Sequence, residues 1–181
     1  MIAIIFDTET TGLLLPSSAP LEKQPRIIEL GALKVDASGV INDLNQLLDP
    51  QQTITPVITK ITGIKPEDLE GQPTFEEFLP QLKAFFEGAD MLIAHNAPFD
   101  TGMLRNDLAR AGCEDFPWPA EIVCTAQEYT PIIGHRPKLL TLYEQIIGVP
   151  LAQTHRALDD ARAVHEVLVK DKFFEQIGGD V

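Results

Sequence analysis

The sequence predicts an α/β fold in which a mixed, five-stranded sheet is flanked by helices, and three observations support this class. A continuous apolar run at residues 2–6 is typical of a strand that is buried on both faces. Strand-like segments come first along the chain, and helical segments interleaved with two short apolar runs follow them. The length of 181 residues and the hydrophobic share of 44% suit one globular domain, residues 1–181.

The strands are predicted from apolar and β-branched runs that lie between turn residues. The segment 36–39, Asp-Ala-Ser-Gly, has the residue types of a hairpin turn and joins the second and third strands. The proline-rich stretch 13–25 predicts a surface loop. The strands predicted after the first are 26–35, 40–48, 91–94 and 121–124.

The helices are predicted from apolar periodicity and from the residues that begin and end them. Thr74 followed by Glu77 is typical of a capping box at the start of a helix. Pro98 in a first turn and Gly112 after a last turn bound another helix. The predicted helices are 56–61, 74–87, 98–111, 138–147 and 157–174.

Charge and cysteine content exclude several classes of protein. Fourteen Lys and Arg against 27 Asp and Glu give a net charge of −13, whereas extended binding of duplex nucleic acid requires a basic face. The two cysteines form no metal motif, so we expect reduced thiols in a cytoplasmic protein. The apolar run at residues 2–6 is too short for a signal peptide or a membrane span, so we expect no membrane association.

The first acidic motif lies at the end of the opening strand. Asp7 and Glu9 follow Phe6 at a spacing of two, which places two strand side chains on the same face. Neighbouring carboxylates beside an apolar strand repel each other and are partly desolvated, and a divalent cation relieves both costs. A strand that ends in a solvated acidic turn explains the same residues, so this motif alone leaves both interpretations open.

Two further motifs place acids in the first turns of helices. Asn96, a candidate helix cap, precedes Asp100, and His155 precedes Asp159 and Asp160. Acids in a first turn are favoured by the helix dipole, so a structural role is open for each of them. A histidine within reach of a metal-binding carboxylate would instead suit a general base, because the ordinary pKa of histidine is near ~6.5.

The three motifs together are far more specific than each one alone. They read Phe-Asp-Thr-Glu-Thr-Thr-Gly at 6–12, His-Asn-Ala-Pro-Phe-Asp at 95–100 and His-Arg-Ala-Leu-Asp-Asp-Ala at 155–161. This set resembles the DEDDh family of DnaQ-like 3′–5′ exonucleases, which includes the proofreading subunit of bacterial replicative polymerases. The resemblance covers residues 2–168 and implies the RNase H-like fold of that family.

The resemblance also implies the roles of five residues. Asp7, Glu9, Asp100 and Asp160 would bind two divalent metal ions, Mg²⁺ or Mn²⁺, and His155 would be the general base. Asp7 would bridge both ions, Glu9 and Asp160 would hold the ion with the attacking water, and Asp100 would hold the other. The family spacing of five residues from His155 selects Asp160 over the acid before it.

Candidates for substrate binding lie mainly in the turn at residues 10–12, at the end of the first motif. We expect the backbone amides of this turn to approach the terminal nucleotide, Leu13 to wedge against the last base, and Phe99 to flank it. Core packing explains Phe99 equally well. Many family members carry His where this chain has Thr62, so contacts there are expected to differ. The substrate-binding candidates are Thr10, Thr11, Gly12, Leu13, Thr62, Asn96 and Phe99.

Three classes of function compete at this point. The first is an exonuclease that acts on the 3′ ends of single-stranded DNA and releases 5′-nucleoside monophosphates. The second is a 3′–5′ exoribonuclease of RNase T or oligoribonuclease type, with the same site and RNA as substrate. The third is a non-catalytic binding module, which the presence of all five site residues opposes. We favour DNA, while a polymerase or other protein partner and the oligomeric state stay open.

Overall fold

A computed structural model describes residues 1–177, and a five-stranded mixed sheet forms its centre. The strand order is β3-β2-β1-β4-β5. β1 pairs antiparallel with β2 and parallel with β4, while β2–β3 is antiparallel and β4–β5 is parallel. The strands are β1 (Ala3–Thr10), β2 (Ile27–Asp36), β3 (Gly39–Leu47), β4 (Met91–Ala94) and β5 (Glu121–Cys124).

Helices cover both faces of this sheet. The capping box predicted at Thr74 is present, since its hydroxyl accepts from the Glu77 amide and the Glu77 carboxylate accepts from the Thr74 amide. Within residues 1–177, no helix has the length and apolarity needed to cross a membrane. The helices are α1 (Pro56–Thr62), α2 (Pro66–Leu69), α3 (Phe75–Phe86), α4 (Ala97–Arg110), α5 (Thr125–Glu128), α6 (Thr130–Ile133), α7 (Leu139–Ile147), α8 (Ala157–Lys170) and α9 (Phe173–Ile177).

The structure departs from the predicted elements at two places that matter. β1 does not end at Phe6, because β2 continues to pair with it as far as Thr10, so the first acidic motif lies inside a strand. The last predicted helix, 157–174, is divided into α8 and α9 at Lys172, whose φ is +57°. The short helices α2, α5 and α6 have four residues each, too few to give a periodic signal.

Alternation along the strands divides the core into two layers. Ile4 and Phe6 of β1 pack with α3 and α4, whereas Ala3 and Ile5 pack with α7 and α8. The acidic positions that follow Ile5 at a spacing of two therefore face α8. The alternation of side chains along β1 therefore decides which helix can contact the acids of the first motif.

Helix α8 approaches β2 at Gly31 more closely than any side chain would allow. A Cβ atom at Gly31 would lie 2.1 Å from the backbone nitrogen of Leu158 and 2.4 Å from the carbonyl carbon of Ala157. Both atoms are backbone in the first turn of α8, so they cannot move away by a change of rotamer. Gly31 therefore determines how close the residues of this turn lie to the sheet.

The loop at 13–25 is a surface loop, as predicted, and Arg110 attaches it to α4. The Arg110 guanidinium donates to the carbonyl oxygens of Leu21 at 2.7 Å, Gln24 at 2.6 Å and Pro25 at 3.2 Å. It also pairs with the buried carboxylate of Asp107 at 2.5 Å. Three carbonyl contacts from one rigid fork give the loop a defined path. The loop also contains a 3₁₀ turn that the sequence did not predict.

We expect Gly31→Ala to lower the free energy of unfolding by about 1–3 kcal/mol, because the added methyl group meets backbone that cannot yield locally. Urea denaturation measures this change. Gly12→Ala is the matched control, since a Cβ there meets only Pro25 at 3.9 Å and φ is ordinary. Equal stability of the two variants would show that α8 can withdraw from β2 without cost.

Candidate active site

The three sequence motifs meet in one open cleft of about 630 Å³. Asp7 comes from β1, while Asn96 precedes α4. His155 precedes α8, and Asp160 lies in its first turn. Segments that are far apart in sequence therefore bring their polar groups to one end of the sheet.

A cluster of possible metal ligands lies at the α8 side of this cleft. Donor atoms of Glu9, His155 and Asp160 lie within 4.8 Å of one another. Asp160 is 6% exposed, and its Oδ2 accepts a hydrogen bond from Gln153 at 2.9 Å. Of these donors, the carboxylate oxygens are the kind that Mg²⁺ or Mn²⁺ prefers, whereas the imidazole of His155 is not.

Asp100 lies against the opposite face of β1. It is 2% exposed, and its Oδ1 accepts from the Thr8 amide at 3.1 Å and from the Thr8 hydroxyl at 2.8 Å. These two bonds fix one oxygen of the carboxylate against the strand between Asp7 and Glu9. Asp100 is therefore held by the residue that separates the two acids of the first motif.

Burial disfavours the ionised form of each of these four acids. Burial raises the pKa of Asp7 well above its ordinary value, and the charges of Asp100 and Asp160 raise it further. Burial and the nearby Asp160 raise the pKa of Glu9 to about 8. Burial also raises the pKa of Asp100 and of Asp160. Acids whose ionised forms are disfavoured in this way are expected at sites where bound cations normally balance their negative charge.

The structure separates the two neighbouring acids of the third motif. Asp160 faces the cleft, whereas Asp159 is exposed, accepts from the Thr154 hydroxyl at 2.8 Å and forms a surface ion pair with Arg162 at 3.5 Å. The choice of Asp160 for the site agrees with this arrangement. Asp159 has the geometry of a surface acid in a first turn.

Two residues of the cleft have unusual backbone conformations. Asn96 has φ of +71° and His155 has φ of +51°, in the left-handed region that residues other than glycine rarely adopt. Asn96 occupies the cap position of α4, but its side chain makes no capping bond; its Oδ1 accepts from Arg136 at 2.5 Å. Asn96 is therefore the cap residue that the sequence predicted, although Arg136 and not the helix uses its amide oxygen. Such conformations concentrate at functional sites.

His95 lines the cleft but has a structural role. Its Nδ1 lies 3.0 Å from the Thr125 hydroxyl, and its Nε2 lies 3.1 Å from the Pro137 carbonyl oxygen. Burial lowers the pKa of His95, so the neutral ring is favoured. With both ring nitrogens engaged, His95 joins β4 to the segment before α7.

Two of the substrate-binding candidates, Leu13 and Phe99, carry apolar side chains that differ in exposure. Leu13 is 80% exposed, which leaves its side chain available to a base. Phe99 is half-buried and packs against the core. Part of its ring therefore has the packing role that the sequence left open as an alternative.

The turn after β1 uses several of its polar groups internally. The Thr10 hydroxyl donates to the Gly12 carbonyl oxygen at 2.8 Å. The Thr11 amide donates to the Arg26 carbonyl oxygen at 2.9 Å, so the expectation that this amide binds a nucleotide is wrong. Its role is to hold the turn to the start of β2.

Thr62 also has a structural role. It is 2% exposed, and its hydroxyl donates to the Ile58 carbonyl oxygen at 3.0 Å and accepts from the Ile64 amide at 3.1 Å. These bonds close the end of α1. The expected substrate contact by the Thr62 side chain is therefore corrected, because its hydroxyl is already engaged within the fold.

The far wall of the cleft carries cations that the motifs did not include. Arg136 and Lys138 line the cleft from the segment between α6 and α7. The three motifs include neither of these cations, and they also omit Gln153, the partner of Asp160. No spacing links these residues to the acids, because loop geometry alone brings them together.

Comparison with known proteins identifies relatives over most of the chain. Residues 4–168 match the family described as Exonuclease, of RNase T type. The DNA polymerase III subunit epsilon of Treponema pallidum is 36% identical over 166 residues, which cover 90% of this chain and 72% of that protein. The PolC-type DNA polymerase III of Clostridium perfringens is 33% identical over 165 residues, which cover 91% of this chain but 11% of that protein.

Solved structures confirm the RNase H-like exonuclease fold that the sequence motifs implied. The nuclease domain of 3′hExo, a DEDDh family member bound to rAMP, superposes with a TM-score of 0.75 at 16% identity, over 94% of this chain and 92% of that one. Exonuclease X in complex with 5′ overhanging duplex DNA gives a TM-score of 0.69 at 23% identity, over 99% and 94%. At such identities the likeness concerns the fold alone.

The acids of the cleft predict how stability depends on pH. The pKa of Glu9 is raised from its ordinary value of 4.5 to about 8 in the folded state, so between these values the folded state binds more protons than the unfolded state. The Glu9 contribution to stability in EDTA should therefore fall as the pH rises through this window. Mg²⁺ should stabilise the protein most at the alkaline end, where the ligands are ionised.

Urea denaturation in EDTA and in Mg²⁺, at pH ~5.5 and ~8, measures both effects. Glu9→Gln is the control, because it removes the titrating group while keeping its size. In EDTA, wild type should lose more stability than Glu9→Gln between the two pH values. A wild-type protein that gains stability relative to Glu9→Gln as the pH rises would contradict the raised pKa.

Proposed function

The chain belongs to the exonuclease family, as a DnaQ-like 3′–5′ exonuclease domain, and from that membership we propose that it degrades single-stranded DNA from its 3′ end. The products would be 5′-nucleoside monophosphates. One observation above all supports this proposal: Asp7, Glu9, Asp100 and Asp160 converge with His155 at one end of the sheet.

The proposed chemistry assigns a task to each of these side chains. Two divalent ions, Mg²⁺ or Mn²⁺, would supply a polarised water and neutralise charge on the phosphoryl group. Glu9 and Asp160 would hold the ion nearest His155, Asp7 would serve both ions, and Asp100 would serve the second. His155 would remove the proton from the attacking water, a contribution that is typically worth about 10²–10⁴ in rate.

Arg136 and Lys138 are the side chains that we propose as contacts to the substrate. Both are exposed on the wall of the cleft, within the space that also contains the acids. Their positive charges would hold phosphates of the strand and offset the repulsion between acids and substrate. The Asn96 amide oxygen accepts a hydrogen bond from Arg136 at 2.5 Å and so holds that guanidinium in place on the cleft wall.

RNA is the second candidate substrate. One fold relative, the nuclease domain of 3′hExo, is bound to rAMP, so a ribonucleotide fits a site of this architecture. One or two contacts to the 2′-hydroxyl suffice to separate RNA from DNA. The names of the DNA polymerase III relatives favour DNA and make a polymerase the protein partner that we propose.

Matched 5′-labelled DNA and RNA strands test the proposed reaction. In Mg²⁺ or Mn²⁺ we expect a ladder that shortens from the 3′ end, faster on DNA, and no product in EDTA. Asp7→Ala should abolish the ladder, because Asp7 would contact both ions. Internal cleavage alone, or full activity in EDTA, would overturn the assignment, and faster loss of RNA would select the second candidate.

His155→Ala tests the general base. We expect kcat to fall at least about tenfold while strand binding persists, because the residue acts on the water and not on the strand. Asp159→Asn is the matched control, as the surface acid of the same motif, and should keep normal kcat. Near-normal turnover by His155→Ala would remove this residue from the reaction.

Arg136→Gln tests the cationic wall. Binding of a fluorescent single strand is measured by anisotropy at several salt concentrations, in the Asp7→Ala background so that the strand is not cut. Loss of one phosphate contact should reduce the slope of log K against log salt by about 0.7. Lys170→Gln, at the far end of α8 and about 20 Å along the helix from its first turn, should leave the slope unchanged. An unchanged slope for Arg136→Gln would place the strand elsewhere.

A further inference from the structure

One carboxylate of the sheet lies outside the proposed metal set and is completely buried. Glu29 in β2 has no exposed surface, and its Oε1 and Oε2 each accept from Arg156 Nε at 3.0 Å. Arg156 Nη2 donates to the same Oε1 at 2.6 Å, and the Ala157 amide donates to Oε2 at 3.1 Å. We propose that the Glu29–Arg156 pair is a positioning device that sets where His155 and Asp160 lie relative to Glu9.

The place of Glu29 in the sheet supports this role. The β1–β2 register puts Glu29 directly opposite Glu9. The pair therefore attaches the segment before α8 to the sheet at the level of Glu9. His155 is the residue before Arg156, and Asp160 follows it by about one turn. Both side chains are thus tied to one point on the sheet beside Glu9.

The local structure of α8 gives Glu29 a second task. Arg156 occupies the cap position of α8, and its own side chain makes no capping bond. The Glu29 carboxylate, which comes from strand β2, instead accepts a hydrogen bond from the first amide of the helix, at Ala157. A carboxylate at this position also complements the helix dipole. Gly31, two residues further along β2, leaves the space that this approach requires.

Stability alone does not explain this choice of residues. Glu29 is fully buried while the Arg156 side chain is 41% exposed, and the desolvation of the buried carboxylate offsets much of the attraction between them, so the ion pair adds little stability by itself. Two carboxylates on opposing strands also repel each other, and Arg156 offsets this repulsion. What a bidentate pair provides is direction, because the planar guanidinium allows one orientation of the chain that carries it.

This inference rests on the proposed function, and Arg156→Lys tests it most directly. Lysine keeps the positive charge beside Glu29 but lacks the rigid fork, so it separates geometry from charge. We expect kcat to fall about tenfold or more, with KM for the strand within about twofold. The dissociation constant for Mn²⁺, measured by electron paramagnetic resonance, should rise at least about threefold, because Asp160 is displaced relative to Glu9.

Glu29→Gln provides a second, independent variant. It keeps an acceptor for the Ala157 amide but removes the charge that orients Arg156, so we expect the same pattern in kcat and in Mn²⁺ binding. Arg162→Lys is the matched control, since Arg162 forms an exposed ion pair with Asp159 on the same helix. Its kcat and Mn²⁺ affinity should equal those of wild type.

All rates are expressed per folded molecule, with the folded fraction taken from circular dichroism. If both Arg156→Lys and Glu29→Gln lose only folded fraction, while kcat and Mn²⁺ affinity per folded molecule stay within about twofold, the pair is structural and the inference is overturned. Failure of wild type to cut any strand would instead defeat the proposed function. The Mn²⁺ measurement would still decide the role of the pair.

Discussion

Burial of several carboxylates at one end of the sheet is the constraint on which the rest of this structure depends. Burial raises the pKa of Asp7, Glu9, Asp100 and Asp160, and the charges of neighbouring acids raise the pKa of Asp7 and Glu9 further. A fold that gathers them must hold each one from outside the cluster. The Thr8 amide and hydroxyl hold Asp100, whereas β1 itself positions Asp7 and Glu9. A cation held by these acids would reduce the cost of burying their charges, and metal binding would then stabilise the folded state.

Local patterns predicted the parts of the site that lie within one element. The spacing of Asp7 and Glu9 placed both on one face of a strand, and the structure has them there, although β1 continues beyond the predicted end at Phe6. The strand was predicted too short because acids are rare inside buried strands, and only the pairing with β2 explains how it continues. The choice of Asp160 came from family spacing, and the exposure of Asp159 agrees with it.

The sequence did not predict contacts between segments that are far apart along the chain. Asn96 occupies the predicted cap position of α4, yet Arg136, forty residues later, bonds to its amide oxygen. The Thr11 amide was expected near substrate, yet it bonds to the Arg26 carbonyl oxygen at the start of β2. Such outcomes depend on how loops pass one another, for which sequence carries no periodic signal. Glu29 was missed for the same reason, since its partner Arg156 lies 127 positions away.

The acidity of the chain shows why a sum of charges is a poor guide to a local surface. A net charge of −13 argues against a protein that binds a long duplex, and nothing in the cleft requires such binding. Within the cleft, however, the acids face Arg136 and Lys138 across a space that suits a few nucleotides. Two divalent cations would neutralise the charge of the four acids, while the remaining acidity of the chain would still repel the body of a strand. The same distribution of charge therefore favours contact with a short stretch of a strand over contact with a long one.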